Sequence, residues 1–339
     1  MVTASGAAQP NPAVVFETLQ AYQKSAALRA GIELDVFTGI GEGTNTAAAL
    51  AKRCSAAERG IRILCDYLTI MGFLTKHESR YGLSADSAAF LDRRSPSYLG
   101  TIADFLGGAE GMAQFKDLAA VVRNGGSLQG DSGTTEPNNP IWIQFARAMA
   151  PLQRPFAETL AATVNAGAGE KWKVLDIAAG HGVFGVTIAR HNPNAEIYAL
   201  DWPSVLQVAT ENARAAGVAS RHHLIPGNAF EADFGSGYDL ILVTGFLHHF
   251  DPPAIDKLLR KVNGALAPNG RVATVEFVPN EDRVTPPIAA GFSLVMLAAT
   301  RAGDAYTFAE YEGMFRKAGF TSNELRPGPG PQSFLISHK

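Results

Sequence analysis

Four groups of residues in this 339-residue chain have the types that bind and react. The first is a glycine turn, Gly180-x-Gly182-x-x-Gly185, preceded by Asp176. Glycine tolerates positive φ and lets a ligand approach the backbone closely. The turn matches the dinucleotide fingerprint literally, which alone is a weak signal. Asp176 discriminates between ligands. Near the carboxyl end of a strand, at the mouth of the turn, its carboxylate would repel a pyrophosphate and attract a cation. S-adenosyl-L-methionine carries an ammonium and a sulfonium and no phosphate, so it is the expected nucleotide-like ligand. The second residue is Asp201, placed to accept both ribose hydroxyls, as either ligand class requires. The third is the pair His248-His249, beyond the fourth expected strand. An imidazole there is a general base, a cap or a core residue, and spacing alone leaves the three open. The fourth is Glu276, at the end of the fifth.

These residues need a scaffold, and the pattern from Lys171 onward supplies one. Lys173–Ala178 is a short apolar run, the pattern of a strand buried on both faces. Further strands are expected at Glu196–Asp201, His223–Pro226, Tyr238–Thr244 and Gly270–Phe277. Helical spacing covers Val183–Arg190, Ser204–Ala216, Pro253–Leu266, Ile288–Thr300 and Phe308–Ala318. Two final strands, Thr321–Arg326 and Ser333–His338, are joined by a tight turn and must be antiparallel, because a parallel pair needs a long crossover. The expected fold class is therefore α/β: a Rossmann-like, mostly parallel sheet with an antiparallel edge, at residues 169–339. Ahead of it, 13–95 has helices at Val14–Val36, Thr46–Arg53 and Ala56–Met71 followed by a hairpin at Gly72–Leu83, a mainly α winged-helix outline. Residues 96–168 are expected to be a helical linker with acceptor-pocket helices, among them Ile141–Val164.

Composition excludes several classes. With 46% hydrophobic and 18% charged residues the chain is a well-cored globule and not a disordered one. A net charge of −3 gives no electrostatic case for nucleic acid or acidic membranes. The winged-helix outline raises DNA binding, but residues 1–95 hold ten Lys/Arg against nine Asp/Glu. The helix that would enter the groove carries Ile61, Leu64, Cys65, Leu68 and Ile70, a face better suited to packing on another subunit. No apolar run approaches the ~18 residues of a membrane span, and Met1–Pro12 lacks a secretory pattern. Cys54 and Cys65 read as buried thiols. A reducing cytoplasm is the expected compartment, and no metal ligand cluster is expected.

The segments LDIAAGHG, ALDWPSVL, IPGNAF, VTGFLHHFDP and GRVATVEFVP, in that order, resemble the motifs of class I S-adenosylmethionine-dependent methyltransferases. With the N-terminal outline, residues 14–338 are similar to the small-molecule O-methyltransferase family that includes plant caffeic acid and animal acetylserotonin enzymes. The resemblance implies a homodimer whose N-terminal domains interlock and help close the acceptor pocket. It places Gly180 and Gly182 near the methionine part of the cofactor, Asp201 and Trp202 at the ribose, and Asn228 and Ala229 at the adenine, with Thr244 also at the cofactor. It makes His248 the general base and Glu276 the carboxylate that fixes it. The chain departs from that family at Ala178, where glycine is usual, and at His249-Phe250, where Asp-Trp is usual. A second supporting glutamate is replaced by Ala305, with Asp304 one residue early.

An acceptor pocket drawing on Phe105, Trp142, Phe145, Met149, Phe292 and Met296 suits a flat apolar molecule. A phenol near pKa 10 and an imidazole near 6.5 differ by roughly 5 kcal/mol, so the proton is expected to leave as the oxygen attacks. The expected activity is methyl transfer to a hydroxyl of a small aromatic metabolite. The rival readings are transfer to carbon or nitrogen, a ligand-sensing winged-helix regulator, and a nicotinamide dehydrogenase.

Overall fold

The computed structural model describes residues 11–129, 134 and 139–339. The chain forms two compact units, up to Ala109 and from Glu110 onward. The segment 96–168 is therefore shared between the two.

The first unit contains α1 (Ala13–Leu19), α2 (Ala21–Glu33), α3 (Val36–Gly41), α4 (Ala47–Arg53), α5 (Glu58–Ile70), the hairpin β1 (Leu74–His77) and β2 (Arg80–Leu83), α6 (Ala85–Phe90) and α7 (Ile102–Leu106). The single helix expected over Val14–Val36 is broken at Gln20 and again at Leu34–Asp35, where Asp35 takes φ +55°. Arg53 and Arg93 pair with the Asp35 carboxylate and hold that corner. Ile61, Cys65 and Leu68 of α5 do not wait for another subunit. They are buried in this unit's own core with Phe37, Leu50 and Leu74. Ile70 at the end of α5 stays exposed, and a further apolar surface lies on α1, where Val14, Val15, Phe16 and Leu19 are all exposed and no residue is buried.

After α8 (Ala109–Ala113) and α9 (Leu118–Asn124), the long α10 (Ile141–Thr163) opens the second unit's α/β framework. It continues as β3 (Lys173–Ile177), α11 (Val183–His191), β4 (Glu196–Asp201), α12 (Pro203–Ala215), β5 (His222–Pro226), β6 (Tyr238–Thr244), α13 (Pro252–Ala265), β7 (Leu266–Glu276), α14 (Pro287–Ala299), α15 (Phe308–Lys317), β8 (Ser322–Pro327) and β9 (Ser333–His338). The seven strands lie in the order β5-β4-β3-β6-β7-β9-β8. All neighbours are parallel except β7–β9 and β9–β8, so the antiparallel edge follows the expectation.

Alternation sorts the strands onto two cores. Val174, Leu240, Leu242, Ala273 and Val275 face α10 and α11, while Leu175, Ile177, Ile241 and Val243 face α13 and α15. Strand order reverses between β3 and β6, which opens a crevice at their carboxyl ends. Two glycines are set by close packing there. A Cβ on Gly182, at φ +69°, would stand 2.8 Å from Cβ of Ala209 on α12. One on Gly185 would meet Ile197 Cγ2 at 2.7 Å and Asp176 Oδ2 at 2.9 Å. Gly185→Val should therefore destabilise the protein by about 1–3 kcal/mol, read as a lower urea midpoint at unchanged slope.

Among the described residues no helix is long and apolar enough to cross a membrane, and no group of His, Cys, Asp and Glu is placed to hold a metal ion.

Candidate active site

The crevice holds a cavity of about 310 Å³. Its walls come from the carboxyl ends of the strands: Ala178 and Gly180 after β3, Asp201 at the end of β4 and Trp202 after it, and Asn228, Ala229 and Phe230 after β5. Phe246, His249 and Phe250 follow β6, and α10 adds Trp142 and Phe145. Ala178, at φ +52°, takes a left-handed conformation that costs an L-residue about 1–2 kcal/mol, strain of the kind that collects at binding sites.

Asp201 is the carboxylate of this cavity. Its Oδ2 accepts the Gly180 N–H at 2.8 Å and its Oδ1 accepts the Trp202 N–H at 2.7 Å. Each oxygen has a further lone pair, so the group is oriented yet able to accept a vicinal diol. Burial pushes its pKa up to about 6, against the pull of those two N–H groups.

Asp176 is not where the charge argument required it. It does not line the cavity; its carboxyl is buried beneath α11, with Oδ2 accepting the Gly185 N–H at 3.1 Å and Oδ1 without a partner among the described residues. On β3 it shares the face of Val174, which packs under that helix. Burial, with a smaller push from Asp201, raises its pKa to about 8, so near neutrality it carries a proton in the free protein. A carboxyl raised above its unfolded value contributes stability in full below about pH 4, and that contribution is lost as pH rises through about 8. Asp176→Asn should remove this part of the decline, so the variant's melting temperature should gain on the wild type's between pH 5 and 8.

Beside the cavity sits a buried pair. Glu276, the last residue of β7, accepts the Phe246 and Leu247 N–H groups on Oε1 at 3.1 and 2.9 Å, and its Oε2 bonds Nδ1 of His248. The pair forms because β6 and β7 are neighbours in register, with Thr244 opposite Val275, so the loop after one strand closes over the end of the other. Both side chains are almost completely buried. A carboxylate on Nδ1 fixes the tautomer with its proton there, leaving Nε2 as the basic nitrogen. Nε2 has no partner among the described residues. Asp304 does not join the pair, since its carboxylate bonds Arg283 and the Ala305 N–H while Ala305 is buried.

The remaining expected residues divide. Phe292 packs edge-on against His248 at 4.9 Å and stacks on Phe277 at 4.0 Å. Met296 is buried on the same helix, and Met149 is half-buried on α10. Gly182 and Thr244 are not among the residues that line the cavity, and Phe105 lies on α7 in the first unit. Asn228 uses its side-chain carbonyl to accept the Phe230 N–H at 3.0 Å, which closes the turn and leaves its amide N–H groups available. Sequence reasoning missed Phe230, Phe246 and Phe250, which form an aromatic wall with ring centroids 4.9–6.4 Å apart. It also missed Lys261, whose ammonium donates to the carbonyls of Ala229 and Ala232 at 3.0 and 2.6 Å and braces the loop beneath that wall. The spacing of the aromatics around VTGFLHHF was a usable signal for the first. Nothing local marks Lys261.

A family model described as the O-methyltransferase domain matches residues 131–321, and one described as the O-methyltransferase dimerisation domain matches residues 16–93. The chain belongs to the O-methyltransferase family. Among its relatives in that family, 3-hydroxy-5-methyl-1-naphthoate 3-O-methyltransferase of Streptomyces sahachiroi is 26% identical over 332 residues, 94% of this chain and 93% of that protein. Acetylserotonin O-methyltransferase of Mus musculus is 27% identical over 340 residues, 95% and 87% of the two chains. A crystal structure described as that of an O-methyltransferase of Nostoc punctiforme is 52% identical, with a TM-score of 0.94, and covers 98% of this chain and all of that one.

Proposed function

We propose that this O-methyltransferase transfers a methyl group to a hydroxyl of a small aromatic metabolite, with His248 as general base and Glu276 as the residue that orients it. The methyl donor of the family is S-adenosyl-L-methionine, which when bound supplies an electrophilic methyl group on a sulfonium. The cavity fits that donor. Among the described residues its lining carries one carboxylate, Asp201, and no lysine or arginine. A diphosphate would find no cationic side chain there, whereas a ribose would find an acceptor already oriented. Asp201 takes the ribose hydroxyls, Asn228 and Ala229 meet the adenine edge, and the aromatic wall covers its face.

The observation that carries the reading is the buried Glu276–His248 pair at the rim of that cavity. The proton of the acceptor hydroxyl moves to Nε2 of His248 as the oxygen develops charge. Glu276 stabilises the resulting imidazolium, and its two backbone hydrogen bonds keep the carboxylate from following the ring. Phe292, packed on the His248 ring, keeps water from the base, and alignment supplies much of the remaining acceleration. The exposed apolar α1 makes the N-terminal unit the surface through which two copies pair, and light scattering of the purified protein should return the mass of a dimer.

Calorimetry tests the donor assignment directly. S-adenosylhomocysteine should bind with one site per chain and NAD should give no heat. Binding of NAD in preference would overturn the reading.

A further inference from the structure

The turn that carries the base is gripped on a side the mechanism does not use. At its entry Glu276 accepts the Phe246 and Leu247 N–H groups. Its exit is held by segment 300–306, which joins α14 to α15. There the Tyr306 hydroxyl donates to the Phe250 carbonyl at 2.7 Å. Tyr306 is buried, its ring edge-on to Tyr311 at 5.6 Å, so the hydroxyl is aimed by packing.

Between entry and exit, Gly303 lies against the backbone of the base itself. It does not take the left-handed conformation, so what it supplies is space. A Cβ there would run into the His248 carbonyl oxygen and stand 2.9 Å from the His249 carbonyl carbon and 2.7 Å from Thr300 Oγ1. The segment is fixed at both ends. The Thr300 hydroxyl donates to the Met296 carbonyl at 2.7 Å and accepts the Gly303 N–H at 2.9 Å, which ties Gly303 to the last turn of α14. Thr307 caps α15 reciprocally with Glu310. Elements around α14 therefore meet His248 twice, through Phe292 on its ring and through Gly303 on its backbone.

Glu276 fixes Nδ1, but a ring held at one nitrogen still swings about that bond. Where Nε2 points depends on where the backbone of the turn sits, and a misplacement of about 1 Å costs on the order of 10²-fold in rate. We propose that Tyr306 and Gly303 are positioning residues that set this backbone, and with it the direction of Nε2 of His248. This rests on His248 being the base. No bond forms or breaks at either residue in the transfer.

Tyr306→Phe deletes only the hydroxyl, and Gly303→Ala adds only the clashing methyl. Both are compared with the wild type well below their melting temperatures, by NMR of ¹⁵N-histidine-labelled protein with S-adenosylhomocysteine bound and by kcat and KM on catechol. The resonance of the His248 Nδ1 proton, assigned by its loss in His248→Ala, should move in both variants. Loss of one neutral hydrogen bond should lower kcat by about 3–10-fold in Tyr306→Phe. The displaced turn of Gly303→Ala should lower it by about 10–10²-fold. The donor's KM should change far less, since Asp201 is untouched. In a His248→Ala background neither change should lower the residual rate further. A merely structural role would lower the melting temperature and leave the resonance and kcat where they are. An unmoved resonance in both variants overturns the proposal with or without turnover of catechol, and so does a moved resonance with unchanged kcat. Full activity of His248→Ala overturns the base reading instead, and this inference with it.

Discussion

His248→Ala should lower kcat by about 10²–10⁴-fold while S-adenosylhomocysteine still binds. The ring does not line the cavity that Asp201 anchors, so its removal spares the donor and strikes the proton transfer. Glu276→Gln is the sharper variant. The amide oxygen can still accept the Phe246 and Leu247 N–H groups and hold the loop. Its NH₂ then faces Nδ1 and demands a lone pair there, which moves the ring proton to Nε2, the nitrogen that must be basic. A loss on the same scale, about 10²–10⁴-fold, with the fold and donor affinity kept, is therefore expected. Steady-state kinetics beside calorimetry separates this from unfolding: a parallel loss of kcat and S-adenosylhomocysteine affinity would indicate a structural role instead.

Asp201→Ala should have its effect on binding. Removal strands the Gly180 and Trp202 N–H groups and takes away the acceptor for both ribose hydroxyls. Hydrogen bonds to a charged group are worth about 1.5–3 kcal/mol each, so losing two weakens S-adenosylhomocysteine binding by about 10²–10⁴-fold. The wild type should show the same dependence through pH. The diol is best accepted by the ionised carboxylate, and in the free protein that group titrates near 6. Affinity should be flat above pH 7 and fall as pH drops through about 6, a dependence that Asp201→Ala should abolish.

Much of this arrangement was legible in the sequence because it is local. The β3–glycine turn–α11 unit, the strand alternation and the antiparallel finish each follow from apolar period and turn length. The approach of Glu276 to His248 was legible only through the resemblance, although its physical cause is the β6–β7 register. Asp176 shows where local reading fails. Alternation puts it on the face of Val174, but only tertiary packing decides that α11 covers that face and buries the acid. Asp201, whose pattern position gave no discrimination, lines the cavity and Asp176 does not, so under the proposed function the electrostatic preference falls to Asp201. The Lys261 brace and the hold of segment 300–306 on the base turn depend on contacts between separate elements and left no mark in spacing. In the first unit, the apolar face of α5 was read as packing on another subunit; Ile61, Cys65 and Leu68 pack instead into the unit's own core, and Ile70 is exposed.

Isotope labelling reads directly where the methyl group goes and which residue makes that possible. Trideuteromethyl-labelled S-adenosylmethionine, incubated with catechol and the wild type, should give a product whose label sits on oxygen as a methyl ether, and Glu276→Gln should give almost none in the same time. Label on a ring carbon, or full ether formation by Glu276→Gln, would contradict it.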